Sequence, residues 1–214
     1  MIVIKAVIFD FEGTLADTLP VCFVAFEGVF KKFDNLEVTT EEIIAMFGPS
    51  ETGIIRKNLK NNNYGKAIEL YYEIYRDQHN IVQNNEEIKT LLEQLRTNGY
   101  KLGIVTGKAR RSLNISLDYL GLNTFFDVTV TGDDVEFPKP NPEGIFKVLE
   151  NLNISHKEAV FLGDSEADII AGKEAGVFTI GVQWLPNIQT NEFKTQPDAI
   201  YSSVKGFLRF LSTL

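Results

Sequence analysis

The chain has 214 residues, enough for one sizeable core plus a smaller accessory unit, and its apolar fraction of 44% is ordinary for a globular protein. A formal charge of -8 and a pI near 4.9 argue against nucleic acid or an anionic membrane as partner, because both demand a basic face. The single cysteine, Cys22, excludes an internal disulfide framework and a cysteine-rich metal site, a pattern that suits a reducing compartment.

In chain order, Ile2 to Phe11 is a short apolar run rich in β-branched residues and reads as a strand. It carries Lys5 and leads straight to Asp10 with no small-residue cleavage site. Neither a signal peptide nor a membrane span is therefore expected, and the protein should stay in the cytoplasm. The next such run, Tyr100 to Val105, lies about ninety residues on, too far for an ordinary crossover. The interval reads as an inserted helical domain over residues 17–85. Within it Val21 to Phe33 is apolar at helical spacing, and Thr40 to Met46 follows a Thr39/Glu42 capping box. A Gly-Pro turn and a polar helix start fall between Phe47 and Leu59, and a further helix is predicted over Ala67 to His79, with Tyr71, Tyr72 and Tyr75 in the core and rim of the inserted domain. Lys60 to Tyr64 reads as a loop, and Gln83 to Asn85 as the return linker.

Residues 1–16 and 86–214 then form the main domain. A helix from Glu87 to Arg96, stopped by Gly99, feeds the strand at Tyr100. Further strands are predicted at Asp127 to Val130, Ala159 to Leu162, Val177 to Val182 and Ala199 to Tyr201, before a last helix running to Leu214. Helical stretches between them make this an α/β fold, a doubly wound, Rossmann-like parallel sheet with the helical domain inserted. In such a sheet the strand C-termini converge on one ligand-binding crevice. Three polar clusters should meet there: Asp10 with Glu12, Gly13 and Thr14; Thr106 with Gly107 and Lys108; and Gly163 with Asp164 and Ser165. Lys139 joins them from the loop FPKPNPEG, ahead of a helix expected to use Asn141 as N-cap and Pro142 at its first position. Lys108 and Glu166 are expected to face solvent.

Four segments in this order, FDFEGTLADT at 9–18, IVTGK at 104–108, FPKP at 137–140 and LGDSEAD at 162–168, resemble the haloacid dehalogenase-like hydrolase superfamily. The resemblance spans nearly the whole chain and is closest to the phosphoglycolate phosphatase-like branch with a helical cap. It implies a Mg²⁺-dependent phosphatase acting on a small phosphorylated metabolite such as phosphoglycolate or pyrophosphate, as a monomer or homodimer. Phosphoryl transfer needs an in-line nucleophile, neutralisation of the equatorial oxygens and a proton source for the leaving oxygen. Asp10 is the expected nucleophile, forming an aspartyl-phosphate. Asp10, Asp164, Asp168 and, by resemblance, the backbone carbonyl of Glu12 are the expected Mg²⁺ ligands. Thr106, the Gly107 amide and Lys139 are expected to hold the transferred group. In the cap, Thr52, Gly53 and Arg56 are the residues expected to read the leaving group, Arg56 by pairing with a carboxylate or a second phosphate. The cap should close over the site on hinges near Ala16 to Leu19 and Gln83 to Asn85.

The chain departs from the family at Glu12, where most members carry Asp as general acid and base. Glu keeps the chemistry but is one methylene longer, and a misplacement of about 1 Å can cost a catalytic group about a hundredfold. Three readings stay open: a working acid/base, a slow one, or a protein that binds a phosphate ligand or is trapped as a phospho-enzyme. A sugar-phosphate mutase of the same family is a further alternative.

Overall fold

The computed structural model describes residues 3–212. Its strands are β1 Ala6–Phe9, β2 Lys101–Val105, β3 Val128–Val130, β4 Ala159–Gly163, β5 Phe178–Val182 and β6 Ala199–Tyr201. All pair in parallel in the order β3-β2-β1-β4-β5-β6, the doubly wound arrangement whose direction of winding reverses between β1 and β4. The helices are α1 Leu19–Asp34, α2 Thr40–Ala45, α3 Glu51–Asn58, α4 Tyr64–Asp77, α5 Glu86–Thr97, α6 Arg110–Leu120, α7 Glu143–Leu152, α8 Glu166–Ala175 and α9 Val204–Leu211.

Side-chain alternation along β1 shows why the sheet is covered twice. Val7 and Phe9 pack on one face with Leu92 of α5, Leu113 of α6 and Phe207 of α9. Ala6 and Ile8 pack on the other with Ile145 and Val148 of α7 and Ala171 of α8. A strand buried on both faces has no polar position to spare, so β1 is apolar throughout. Each fully buried Ile or Phe contributes roughly 1.5–3 kcal/mol.

A third cluster joins α1 to α4. Helix α4 buries Ala67, Tyr71, Tyr72 and Tyr75, a single stripe at helical spacing, against Val21, Ala25, Phe26 and Phe30 of α1. The Phe26 and Tyr71 rings lie 4.7 Å apart. The helical segment rests on α6, where Ala109 joins the same cluster and the Tyr75 hydroxyl hydrogen-bonds that of Ser116 at 2.8 Å.

Local chemistry accounts for the boundaries. The Thr39/Glu42 capping box forms in both directions at the start of α2. Helix α4 begins at Tyr64, inside the expected loop, and stops at Asp77, with His79–Ile81 tightened into a 3₁₀ turn. Helix α7 begins one residue late: Pro142 is its N-cap rather than its first residue, and Asn141 Oδ1 accepts from the Glu143 amide at 3.0 Å from outside the helix. Strand β1 is shorter than the apolar run that predicted it; Ile2 and Leu214, the expected ends of the first strand and the last helix, lie outside the described residues. Among the described residues no helix is long and apolar enough to cross a membrane.

Candidate active site

Strand β1 delivers Asp10 and strand β4 delivers Asp164 to the same edge, side by side at the reversal of the sheet. The Asp10 amide continues the ladder by donating to the Leu162 carbonyl at 2.8 Å. The chain then turns back within a few residues, with Leu15 and Ala16 amides donating to the Phe11 carbonyl. Gly13 sits in this turn at φ +76°, and a Cβ there would lie 2.1 Å from Asp164 Oδ2. Only glycine allows both the backbone conformation and the approach of the second acid.

Asp10, Asp164 and Asp168 are all buried, and each offers a carboxylate oxygen within 4.8 Å of the others. Lys139 reaches into this cluster and donates to Asp10 Oδ1 and Asp168 Oδ1, both at 2.5 Å, and to the Val105 carbonyl at 3.2 Å. Burial pushes the Asp10 carboxyl up to about 7, with Lys139 opposing and Asp168 reinforcing the shift. Burial, then Asp10 and Asp168, push Asp164 up to about 9 against the Gln189 amide and Lys139. Burial works against the charge of Lys139, but Asp10 and Asp168 outweigh it and hold the ammonium well above its ordinary range.

The two acids after β4 differ in how they are held. Asp168 has both oxygens engaged, one by Lys139 and the other by the Ser165 hydroxyl at 2.5 Å and amide at 3.0 Å. It orients Lys139 and completes the capping box of α8. Asp164 takes one hydrogen bond, from the Gln189 amide to Oδ2 at 2.6 Å, and its buried Oδ1 has no partner. A buried carboxylate oxygen without a donor, beside a second carboxylate, matches the donor set of a small hard cation such as Mg²⁺.

Thr106 is buried at the end of β2, its hydroxyl accepting from the Lys108 amide at 3.3 Å. Lys108 does not face solvent. Its side chain is 3% exposed and lies between two carboxylates, Glu12 Oε2 and Glu51 Oε1, each at 3.4 Å. The Cys22 thiol is 3.2 Å away and the Tyr75 ring centre 5.0 Å. Burial opposes the charge on Lys108, but Cys22, Glu12, Tyr75 and Glu51 together more than offset it and raise its pKa well above the usual value. Glu12 also accepts from the Thr18 hydroxyl at 2.6 Å, so its carboxylate is fixed by a residue just ahead of α1 and by Lys108.

Sequence reasoning missed Glu51. It opens α3, yet it is buried and reaches across to the start of α6, accepting from the Ala109 amide at 2.5 Å and the Ser112 hydroxyl at 2.6 Å. An acid one residue after a serine and ahead of Ile54 and Ile55 looks like an ordinary acid in a first helical turn; nothing near it in sequence names its partners. The loop after β5 was also missed. The Trp184 indole donates to the Thr14 carbonyl at 2.7 Å, the Asn187 amide to Asp17 Oδ2 at 2.8 Å, and the Gln189 backbone to Asp164. Glu166, expected in solvent, is half-buried because its carboxylate accepts the Lys194 and Thr195 amides of that loop.

A cavity of about 330 Å³ opens above Asp10 and Lys139, with Thr106, Gly107 and Lys108 on one side and Glu51, Phe47 and Ile54 on the other. Thr52 and Arg56 do not line it. The Thr52 hydroxyl pairs with that of Ser50 at 3.2 Å, and Arg56 is exposed because Ile54 and Ile55 occupy the inward face of α3. Gly53 is not in the wall either.

Two buried strand-end acids at the reversal of a parallel sheet, a lysine that bridges one of them to a third acid in α8, and a cavity above are the arrangement of a hydrolase. Residues 7–182 match the model of the haloacid dehalogenase-like hydrolases, and the chain belongs to that family. The pyrophosphatase PpaX of Bacillus cereus is 32% identical over 212 residues, covering 99% of this chain and 98% of that protein. A crystal structure described as a predicted phosphoglycolate phosphatase from Haemophilus somnus superposes with a TM-score of 0.83 at 21% identity, over 97% of both chains. CbbY from Rhodobacter sphaeroides, crystallised with phosphate, superposes at 0.81 with 22% identity, over 94% of this chain and 95% of that one. The two structures speak for the fold.

Proposed function

We propose that the protein is a Mg²⁺-dependent phosphatase that hydrolyses a small phosphorylated metabolite through an aspartyl-phosphate on Asp10. The observation that carries this reading is the pairing of Asp10 with Lys139 at 2.5 Å beside Asp164, whose buried Oδ1 lacks a partner, at the floor of a cavity. The names of the relatives, pyrophosphatase and phosphoglycolate phosphatase, support phosphoryl chemistry.

Asp10 and Asp164, with the Glu12 carbonyl, would hold the ion, which when bound neutralises charge on the phosphoryl oxygens and the acids around them. Asp10 attacks phosphorus. The Thr106 hydroxyl, the Gly107 amide and Lys139 receive the equatorial oxygens. Asp168 holds Lys139 in place from behind. Glu12, once it has taken up a proton from solvent, gives it to the leaving oxygen and then takes one from the water that cleaves the aspartyl-phosphate. Its carboxylate begins in the grip of Thr18 and Lys108, and must turn from them toward the cavity to act. The helices over residues 17–85 act as the cap that excludes bulk water.

The test is phosphate release with Mg²⁺ from native protein, Asp10→Asn and Glu12→Asp. Native turnover with loss of at least about a thousandfold in Asp10→Asn is expected, since the nucleophile is removed. Turnover that survives Asp10→Asn refutes the covalent route. Turnover by Glu12→Asp alone shows that native Glu12 is not a competent acid/base, which leaves the native chain a phosphate-ligand binder or a trapped phospho-enzyme.

A further inference from the structure

The far end of the cavity bears on which phosphate ester fits, an inference that rests on the phosphatase reading above. Beyond the phosphoryl station the walls are Phe26, Phe47, Pro49 and Ile54 from the helical segment, facing Pro138 and Pro140 from the loop that carries Lys139. Two cations reach the cavity, and each is already held between two carboxylates. Lys139 lies between Asp10 and Asp168, and Lys108 between Glu12 and Glu51. The described residues lining the cavity include no arginine and no histidine. Glu51 cannot simply give up Lys108 to an incoming anion, because its two oxygens are anchored on the Ala109 amide and the Ser112 hydroxyl.

A carboxylate or second phosphate on the leaving group would therefore sit among apolar walls beside a Lys108 ammonium whose charge is already shared by Glu12 and Glu51. An anion buried that way loses its water without gaining a partner, and like charges beside it add to the penalty. An apolar group in the same place removes both its own surface and the ring faces of Phe26 and Phe47 from water. Gln189, exposed at the mouth, offers a neutral amide to a polar atom at the outer end. The volume of about 330 Å³ is at the small end of ligand sites, which limits the leaving group to one ring or a short chain.

We infer that the substrate is a phosphate monoester of an uncharged alcohol with an apolar face, and not a diphosphate or an ester that bears a second anionic group. In the first step the ester P–O bond breaks as the bond from Asp10 to phosphorus forms, and a proton that Glu12 has taken up from solvent on leaving Lys108 goes to the leaving oxygen, which departs as a neutral alcohol. Water then cleaves the aspartyl-phosphate, releasing inorganic phosphate and returning a proton to Glu12.

The experiment measures kcat/KM for phosphate release by the full chain with Mg²⁺ from benzyl phosphate, phosphoglycolate and pyrophosphate. Benzyl phosphate and phosphoglycolate both release an alcohol, so leaving-group reactivity is similar and the walls decide. Benzyl phosphate should exceed each of the others by at least about tenfold, on the scale of one well-filled apolar contact. Phe47→Arg places a cation at a half-buried wall position, and the ratio of phosphoglycolate to benzyl phosphate should rise by at least about tenfold. Asp10-dependent release that favours phosphoglycolate or pyrophosphate, or an unchanged ratio in Phe47→Arg, overturns this inference alone. Release from none of the three, or release that survives Asp10→Asn, overturns the phosphatase reading and this inference with it.

Discussion

Lys108→Met tests the network that joins the helical segment to the sheet. The lysine is 3% exposed and stands 3.4 Å from each of Glu12 and Glu51, whose side chains are 14% and 6% exposed. Methionine fills much of the same space but leaves two carboxylates facing each other without a cation. Removing one partner from a buried ion pair typically costs about 3–5 kcal/mol, mostly because the remaining charge loses its compensation. At about 2–4 °C per kcal/mol for a chain of this size, Tm should fall by roughly 6–20 °C. Urea unfolding read by circular dichroism would give the free energy, with an unchanged m-value showing that the folded state has kept its extent. The second arm adds Glu51→Gln to Lys108→Met. The substituted amide is neutral and its carbonyl can still accept from the Ala109 amide, so the double variant should recover about 1 kcal/mol or more over Lys108→Met alone. A loss under about 1 kcal/mol for Lys108→Met, or no recovery on neutralising Glu51, would show that water already screens these charges.

The acids at the floor of the site predict a pH effect on cation binding. Asp10 and Asp164 have carboxyl pKa values raised above the ordinary range, so the metal-free folded chain holds protons that the unfolded chain has lost, and it loses stability as pH rises through about 7 and 9. A cation competes with those protons, and the rise in Tm caused by Mg²⁺ should be larger at pH 8 than at pH 6; a shift that shrinks with pH would contradict the assignment. Gly13→Ala should lose that Mg²⁺ shift and most phosphate release, because its Cβ and Asp164 Oδ2 cannot share the space and φ +76° adds about 1–2 kcal/mol of strain. An alanine variant with a native Mg²⁺ response would mean the turn relaxes without moving Asp164.

What was legible in the sequence was whatever depended on neighbours along the chain. The parallel strands announce themselves because burial on both faces leaves continuous β-branched runs, and the inserted helices because α1 and α4 carry single apolar stripes. Asp10, Thr106, Lys139 and Asp164 stand at strand ends or in the loop beside them, where a doubly wound sheet gathers its side chains. What was hidden depended on partners far apart. Lys108 looks like a surface lysine until α3 brings Glu51 over it, and Glu51 looks like a helix-dipole acid until α6 supplies Ala109 and Ser112. Arg56 attracted attention for its charge, but two isoleucines ahead of it had already claimed the inward face. The start of α7 slipped by one residue because proline can serve as N-cap as well as first residue, a choice made by the surrounding loop.

The loop after β5 has a consequence for the order in which the protein can be made. By residue 168 a chain leaving the ribosome has already emitted all four motifs, yet Asp164 still lacks the Gln189 amide, and the turn after Asp10 still lacks Trp184 and Asn187. Two of these contacts close loops of 170 residues, and closures of that span are entropically late events. Asp10 is thus synthesised early, whereas the contacts that fix the turn after it and Asp164 come from the loop after β5. A chain that ends before this loop carries the components of the site without the contacts that hold them in register.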